Sequence, residues 1–386
     1  VETLHGEEVA DPYRWLEDDN AEETISWGKK QNKVTFGYLR AIPERDKIAA
    51  RLTELYDYER LGVPFRVGDR YFFTRNDGLQ DQSVLYTTES LGKEPRILLD
   101  PNTLSSDGTV ALSGYEISDD GNLLAYAISR SGSDWKEWKV RRVETGEDLS
   151  DHLKWSKFSG ASWSKDHKGF YYSRYDEPGE GEEFQAANFN QKVYYHRLGT
   201  PQAEDTLVYE RPDKPKWSFS AWPTEDGKYL LISVRRGLAS DNAIFYRPLD
   251  DKDAPVVELL PDFDAKYDFI GSDGSLFWFQ TDLDAPRGRI IAIDVTKPER
   301  KHWRTVLKDS LDTLRWVSLV GDQFVASYMH DAHSLVRRYT VEGKGLGELK
   351  LPGLGSASGF WGKRHHRETF YAFNSFTAPP TLYRFD

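Results

Sequence analysis

The stretch Asp226-Gly227-Lys228-Tyr229-Leu230-Leu231-Ile232 joins a tight-turn signal to a run of apolar residues. Aspartate followed by glycine favours a turn, because glycine tolerates positive φ and the aspartate side chain can bond to the nearby backbone. Aromatic, aliphatic and β-branched residues directly after such a turn are typical of a β-strand. The stretch therefore predicts a turn that leads into a strand.

This pattern recurs at seven places along the chain. A turn residue followed by a short apolar run stands at positions 68, 121, 169, 227, 274, 321 and 368. A second series of apolar runs follows, one after each, at residues 83–86, 138–141, 192–195, 243–246, 289–292, 335–339 and 381–384. Repeats of about 40 to 55 residues that each hold several short strands are typical of propeller blades.

The stacking of such repeats has a physical reason. One small twisted sheet cannot bury both of its faces, whereas radially stacked sheets cover one another and leave only short edges. We therefore predict an all-β fold, a seven-bladed β-propeller over residues 61–386. The last repeat reaches Asp386 directly after its third strand, whereas the first repeat continues into a further strand at 95–99. We expect the seventh blade to be incomplete.

Residues 1–60 carry helical signals instead and form the predicted α-helical N-terminal extension. Three helices are expected to start at Asp11-Pro12, at Asn20 and at Pro43. Asn20 with Glu23 resembles a capping box, and proline suits the first turn of a helix. The apolar stripes of these helices need a partner surface.

Composition argues against several classes of function. The net charge is −12 and the mean hydropathy is −0.67. Such a chain does not favour nucleic acid or an anionic membrane as a partner. It has no cysteine, which excludes disulfides and thiolate metal sites. Because it opens at Val1 without a signal-like stretch, we interpret it as a trimmed or processed polypeptide.

The sequence offers no catalytic residues, metal site or cofactor site. A Gly-x-Ser-x-Gly nucleophile elbow is absent, and the nearest match, Gly355-Ser356-Ala357-Ser358-Gly359, is interpreted as a turn. His365-His366 is interpreted as part of a loop rather than a metal site, since adjacent side chains on a strand point to opposite faces. The acidic residues 176–183 are interpreted as a solvated loop rather than a cation site.

Several segments resemble the prolyl oligopeptidases (prolyl endopeptidases), a family of serine peptidases. The N-terminal segment His5-Gly6-Glu7-Glu8-Val9-Ala10-Asp11-Pro12-Tyr13-Arg14-Trp15-Leu16-Glu17-Asp18 is the most extensive. Further similar segments lie at 51–58, 76–86, 99–102, 105–112, 131–135, 194–200 and 374–376. They follow the family order along the whole chain.

The resemblance implies a seven-bladed propeller that caps an α/β-hydrolase domain. In the family that domain holds a Ser-Asp-His triad and cleaves peptides after proline, while the N-terminal helices belong to the peptidase side. Hydrolase sequence would begin beyond Asp386, so we expect the domain to be absent from this chain. The parent thus resembles a serine endopeptidase, and the chain alone is predicted to be inactive.

The resemblance also implies three substrate-binding positions, Phe158, Arg235 and Asp134. A ring can contact a proline-like side chain, and arginine offers fixed donors to a carbonyl or carboxylate. In the alternative interpretation, Phe158 packs between blades and Asp134 forms an ordinary polar pair with Arg235.

Two functions of different class follow. The first is a non-catalytic filter over a peptidase that admits short proline-containing peptides, with the hydrolase domain as partner. The alternative is a stand-alone propeller that serves as a scaffold for binding peptides or proteins. A propeller glycosidase is disfavoured, because no carboxylates recur at equivalent inward positions of the blades. The compartment is undetermined between cytoplasm and periplasm.

Overall fold

The computed structural model describes residues 1–179, 181, 183, 187–251 and 253–386. These residues fall into two compact units. The first comprises Val1–Glu59, Asp77–Leu79 and the described part of Pro178–Ala186. The second comprises Arg60–Asn76, Gln80–Glu177 and Ala187–Asp386.

The first unit is mainly helical. It contains a hairpin of β1 (Glu2–Leu4) and β2 (Glu7–Val9), a 3₁₀ turn at Arg14–Glu17, α1 (Glu22–Arg40) and α2 (Arg45–Tyr56). Among the residues described, no helix is both long enough and apolar enough to cross a membrane.

The prediction for the first of the three helices was wrong. Only the short 3₁₀ turn forms there, and the Asp11 carboxylate accepts a hydrogen bond from the backbone N–H of Tyr13 at 2.9 Å. The capping box also fails to form: α1 has Ala21 at its N-cap and no side-chain cap. Asn20 instead donates its backbone N–H to the Asp18 carboxylate at 3.0 Å, in a local turn before the helix.

The second unit is the predicted seven-bladed propeller. Its strands form seven antiparallel sheets within the described residues, each from one continuous stretch of chain, and these are blades 1 to 7. The strands are, for blade 1, β3 (Arg60–Leu61), β4 (Phe65–Val67), β5 (Arg70–Asn76), β6 (Val84–Thr88) and β7 (Arg96–Leu99); for blade 2, β8 (Val110–Ile117), β9 (Leu123–Arg130), β10 (Lys136–Arg142) and β11 (Asp148–Ser156); for blade 3, β12 (Ala161–Trp163), β13 (Gly169–Arg174), β14 (Lys192–Arg197) and β15 (Thr206–Tyr209); for blade 4, β16 (Trp217–Pro223), β17 (Tyr229–Arg236), β18 (Asn242–Pro248) and β19 (Val257–Leu260); for blade 5, β20 (Tyr267–Asp273), β21 (Leu276–Thr281), β22 (Arg289–Asp294) and β23 (Arg304–Leu307); for blade 6, β24 (Thr313–Val320), β25 (Gln323–His330), β26 (His333–Thr340) and β27 (Gly345–Leu349); and for blade 7, β28 (Ser356–Gly359), β29 (Thr369–Ser375) and β30 (Ala378–Phe385). Short 3₁₀ turns lie at Pro101–Thr103, Gln202–Glu204 and Arg300–His302.

The turn at Asp226-Gly227 forms as predicted. Gly227 has φ +71° and donates its N–H to the Thr224 carbonyl at 2.9 Å. The Asp226 carboxylate accepts from the Thr224 hydroxyl at 2.6 Å and from the backbone N–H of Lys228 at 3.1 Å. Because these bonds close within five residues, the turn forms from local sequence alone.

The strand after this turn is buried on both faces. Leu230 and Ile232 pack into the core between blades 3 and 4, whereas Leu231 packs into the core between blades 4 and 5, and all three are fully buried. Successive side chains of this strand therefore point into two different hydrophobic cores, and not alternately into a core and into solvent. This explains why the strand is apolar throughout.

Side-chain amides also join neighbouring blades. Gln82, two residues before β6, donates to the Val110 carbonyl at 2.8 Å and accepts from the N–H of Leu112 at 3.0 Å. Asn242 makes the equivalent pair of bonds to the backbone of Tyr267, at 3.0 and 2.8 Å. Each amide satisfies backbone groups on the first strand of the next blade.

Blades 7 and 1 meet differently. Six buried apolar clusters lie between successive blades from 1 to 7, and among the described residues none of the six joins blade 7 to blade 1. At that junction the Tyr71 hydroxyl donates to the Glu368 carboxylate at 2.5 Å, and the Tyr71 ring packs edge-on against Phe370 at 6.0 Å.

Candidate functional site

A cavity of about 780 Å³ lies in the propeller. Blades 3, 4 and 5 and the link between β11 and β12 supply its walls. Both Phe158 and Arg235 line it. Other lining residues are Lys216, Ser218, Trp222 and Asp268.

Phe158 is presented to this cavity by a strained turn. Its backbone has φ +53°, in the left-handed region, and its side chain is 57% exposed. An exposed ring held in a conformation that costs about 1 kcal/mol or more is a common feature of binding sites. The alternative in which Phe158 packs between blades is therefore wrong.

Buried hydrogen bonds fix this turn. Gln191 donates from its amide to the Lys157 carbonyl at 2.9 Å and accepts from the backbone N–H of Phe219 at 2.6 Å. The Ser159 hydroxyl oxygen accepts from the N–H of Ser173 at 2.8 Å. Bonds on both sides of Phe158 thus hold the backbone of the turn that carries the ring.

Lys157, next to Phe158, is buried although it is cationic. Its ammonium lies 3.8 Å from the ring centroid of Trp135, and its amine donates to the Asn188 side chain at 3.3 Å. Burial lowers the pKa of the Lys157 ammonium, and the negative charge of Asp134 opposes this effect. A cation over a Trp face gains quadrupole attraction that partly offsets the lost hydration.

Arg235 reaches the cavity from the end of β17, where it is paired with Ser218 on β16. In the described part of the chain its guanidinium forms no ion pair. The adjacent Arg236 is engaged instead: it bonds the Asp241 carboxylate at 2.5 Å and stacks over the Phe263 ring at 4.2 Å. Among the described residues, no acidic partner therefore occupies the Arg235 guanidinium, which lines the cavity.

Asp134 lies apart from these two residues. It is exposed in the turn between β9 and β10, and the described residues that line the cavity do not include it. It does not pair with Arg235, so the polar-pair alternative is wrong as well. The structure brings Phe158 and Arg235 to one cavity, whereas Asp134 lies outside its lining and acts on Lys157 through its charge.

The cavity wall formed by β16 was not predicted from the sequence. Ser218, Ser220 and Trp222 line the cavity, while Ala221 between them is buried. This alternation of exposed and buried residues is visible in the sequence and could have identified the wall.

The candidate chemical motifs are structural. Ser356–Gly359 is the first strand of blade 7 with Ala357 buried, so the interpretation as a turn was wrong.

His365 and His366 lie in a loop with their rings edge-on at 4.6 Å, and burial lowers the pKa of His366 to about 4. Among the described residues, no group of three or more His, Asp or Glu side chains is placed to hold a metal ion. In the acidic segment 176–183, Asp176 binds the Lys192 ammonium at 2.8 Å, and residues 180 and 182 lie outside the described part.

Comparison with known proteins decides the family. The family model described as the prolyl oligopeptidase N-terminal β-propeller domain matches residues 1–386. The chain belongs to the prolyl oligopeptidase N-terminal β-propeller family.

Named relatives share this propeller domain. The prolyl endopeptidase of Elizabethkingia meningoseptica is 37% identical over 386 residues, which cover 100% of this chain and 54% of the relative. Prolyl oligopeptidase A of Amanita bisporigera is 33% identical, over 92% of this chain and 50% of the relative. The chain therefore spans about half the length of the curated relatives it matches.

Solved structures agree with this assignment. One, from a study of two prolyl endopeptidases and of inter-domain dynamics in their catalysis and specificity, is 38% identical with a TM-score of 0.80, covering 100% of this chain and 55% of that one. Prolyl oligopeptidase B from Galerina marginata, bound to a 35-residue hydrolysis and macrocyclisation substrate, is 28% identical with a TM-score of 0.88, covering 98% and 55%.

Proposed function

We propose that this propeller domain is the non-catalytic substrate filter of a prolyl oligopeptidase-like serine peptidase that cleaves short peptides after proline. The observation that carries the proposal is the cavity lined by both the exposed ring of Phe158 and the guanidinium of Arg235, which has no ion-pair partner among the described residues. Its volume of about 780 Å³ suits a short peptide segment, because ligand sites commonly measure about 300 to 1,000 Å³.

Each residue has a distinct role in this proposal. The Phe158 ring gives apolar contact to a proline-like side chain, and its fixed turn limits the entropy lost on binding. Arg235 donates to a peptide carbonyl or carboxylate. Asp134 acts indirectly, through its charge on Lys157, which precedes Phe158 in the same turn.

Catalysis requires a partner, since acyl transfer needs a positioned nucleophile and base. The proposed partner is an α/β-hydrolase domain. The helical segment 1–60 supplies a surface for it: Val34 and Tyr38 on α1 are 71% and 74% exposed, and Ile48 on α2 is exposed as well. Exposed apolar side chains in this number mark an interaction surface. The remaining residues, 61–386, then form the filter, with the three-stranded blade 7 as its incomplete last blade.

Complementation tests the proposal. The chain alone, mixed with a chromogenic proline peptide, should give no turnover above blank. Adding a separately produced hydrolase domain of the family should restore cleavage, and Phe158→Ala should weaken the apparent peptide affinity about tenfold, as loss of a buried aromatic contact does. Phe376→Ala, which removes an exposed ring outside the cavity, is the matched control.

Two results would contradict the proposal. Turnover by the chain alone would show that it is catalytic. Peptide binding by the chain, combined with no cleavage when a hydrolase domain that docks onto it is present, would favour the stand-alone binding scaffold.

A further inference from the structure

A second cavity adjoins the one that Phe158 and Arg235 line. It has a volume of about 270 Å³, and its walls are the start of β20, the link between β21 and β22, and the start of β24. We call it the blade 5–6 cavity. Asp268, near the start of β20, lines both cavities. The second cavity therefore begins where the first one ends, at the same end of the blades.

The charge that lines the two cavities is opposite in sign to the charge of the chain as a whole. The chain carries a net charge of −12. Among the described residues, the two cavities are lined by five basic side chains, Lys216, Arg235, Lys266, Arg287 and Arg315, and by two acidic ones, Asp268 and Asp282. A concave surface with an excess of one charge attracts ligands of the opposite charge.

The acidic side chains at the blade 5–6 cavity are bonded to other groups. Asp268 lies 2.6 Å from the Lys266 ammonium, and the Asp282 carboxylate accepts from the backbone N–H of Lys266 at 2.8 Å. Asp312, directly before β24, lies 3.1 Å from the Arg337 guanidinium. In the described part of the chain, none of these carboxylates pairs with an arginine that lines the cavity.

Arg287 and Arg315 have no acidic partner among the described residues. The side chains of both are exposed, and the Arg287 guanidinium contacts only the Ser310 carbonyl, at 3.5 Å. Arg315 lies at a bulge, because the pairing of β24 with β25 shifts register between Leu314 and Trp316. A bulge changes the direction of the side chain that it carries. The two guanidinium groups can therefore accept an anionic partner from outside the chain.

Hydrogen bonds hold the backbone of both arginines. The amide of Gln280 is buried and donates to the carbonyls of Leu314 and Arg315 at 3.2 and 3.3 Å. The N–H of Leu314 donates to the Arg287 carbonyl at 2.7 Å. Gly288 has φ +83°, and a Cβ at this position would lie 3.1 Å from the Leu314 side chain. Glycine thus allows the link between β21 and β22 to lie directly against β24.

We propose that the blade 5–6 cavity binds a carboxylate of the substrate peptide, with Arg287 and Arg315 as the donors. A guanidinium group can bond both oxygens of a carboxylate, and such charge-assisted bonds are stronger than neutral ones. The expected source is an acidic side chain of the peptide. The proposal rests on the filter function proposed above, because the same peptide contacts Phe158.

The position of the acidic residue follows from the spacing of the blades. Packed sheets lie about 10 Å apart, and an extended peptide rises about 3.3 Å per residue. One blade therefore corresponds to about three residues of peptide. We expect the acidic residue about three to five residues from the proline.

Calorimetric titration of this chain tests the site. Acetylated and amidated peptides with one proline carry a glutamate three, four or five residues before or after it, and each has a glutamine counterpart. At low salt, at least one glutamate peptide should bind about fivefold more tightly than its counterpart, as a partly exposed charge pair allows. This advantage should shrink at high salt. Glutamine peptides with a free C-terminus show whether a main-chain carboxylate binds as well.

The double variant Arg287→Gln with Arg315→Gln should abolish the glutamate advantage and leave the affinity for the glutamine peptides unchanged. The matched control is Arg142→Gln with Arg304→Gln, which makes the same change in net charge at two exposed arginines outside both cavities. Thermal melts establish that each variant is folded. If the first double variant unfolds, Arg315→Gln alone replaces it and should reduce the advantage.

Three results would overturn the carboxylate site. The first is equal affinity for the two members of every glutamate and glutamine pair. The second is a glutamate advantage that persists in the folded double variant. The third is an equal loss of the advantage in the control variant, which would assign it to the overall charge of the chain.

The outcome is separable from the filter function. Titration needs only this chain, so failure of a hydrolase domain to restore cleavage would contradict the filter function and leave a measured glutamate advantage standing. With cleavage restored, equal affinities for the glutamate and glutamine peptides would overturn the carboxylate site alone.

Discussion

The imidazole Nδ1 of His196 lies 2.7 Å from the Asp205 carboxylate, and both side chains are fully shielded from solvent. The other ring nitrogen lies 2.9 Å from Asp151, on the outer strand of blade 2. One histidine of blade 3 thus joins two blades through two carboxylates. Burial alone would lower the pKa of His196, but the bonds to Asp151 and Asp205 raise it to about 9.

This arrangement predicts a pH-dependent stability. A folded-state pKa of about 9, above the unfolded value of about 6.5, means that the stabilisation is complete below pH 6.5 and is lost as pH rises through about 9. His196→Gln should lower the free energy of unfolding by about 3 kcal/mol at pH 6. The deficit should shrink towards pH 10, as measured by urea denaturation at several pH values.

His302→Gln provides the control, because this exposed histidine lies 3.8 Å from Glu299 at the surface. It should change stability little at any pH. A deficit for His196→Gln that stays constant from pH 6 to pH 10 would show that the imidazole is not charged in the folded protein.

Gln191→Ala should reduce both stability and peptide affinity. The substitution leaves the Lys157 carbonyl and the Phe219 N–H without their partner, at a cost of about 1 to 3 kcal/mol for each buried group. It also frees the turn that holds Phe158. Gln82→Ala is the matched control, since the equivalent amide in blade 1 lies away from the cavity. Both variants should melt at lower temperature, and only Gln191→Ala should bind a proline peptide more weakly in calorimetric titration.

Arg235→Ala should weaken the binding of a peptide with a free carboxylate about tenfold, because a charge-assisted hydrogen bond contributes about 1.5 to 3 kcal/mol and the cavity is partly solvated. The loss should shrink at high salt. Arg236→Ala changes the net charge by the same amount as Arg235→Ala, but the guanidinium that it removes is bonded to Asp241. Titration of the two variants at low and high salt compares them; equal losses would mean that only net charge matters.

Glu368→Gln should destabilise the junction of blades 7 and 1. The carboxylate accepts from the Tyr71 hydroxyl at 2.5 Å and lies 2.6 Å from the Arg384 guanidinium, and its side chain is buried. We expect a loss of about 1 to 3 kcal/mol in the free energy of unfolding. Tyr71→Phe and the double variant complete a mutant cycle, and strictly additive losses would show that the two residues are not coupled.

The strands could be predicted because their signals are local. The turn Thr224 to Lys228 and the apolar run after it specify β17 with bonds that span five residues or fewer. The same logic placed the second and third strands of every blade. The first helix failed for an equally local reason, since the Asp11 carboxylate bonds the backbone of Tyr13 within a turn instead of capping a helix.

Long-range partners could not be predicted in this way. Lys363 and Asp119 are 244 positions apart, and no period or turn signal connects them. The pairing of His196 with Asp151 likewise depends on which strands become neighbours. For the candidate site, Phe158 and Arg235 were predicted from the family resemblance. The structure added the wall formed by β16, whose alternating serines are visible in the sequence but were not used for a prediction.

The junction of blades 7 and 1 is the place where, within the described residues, the propeller ring is not closed by a shared β-sheet. In the described part of the chain, no sheet combines strands from both ends. The junction is instead bridged by side chains: Glu368 of blade 7 accepts from the Tyr71 hydroxyl and lies 3.7 Å from the Arg66 guanidinium, both of blade 1. We therefore expect the ring to open at this junction before it opens at any of the six apolar clusters. Residues 361–367 follow the first strand of blade 7, and Arg364 among them bonds Glu225 of blade 4 and Ser272 of blade 5. This segment therefore links the open junction to the opposite side of the ring.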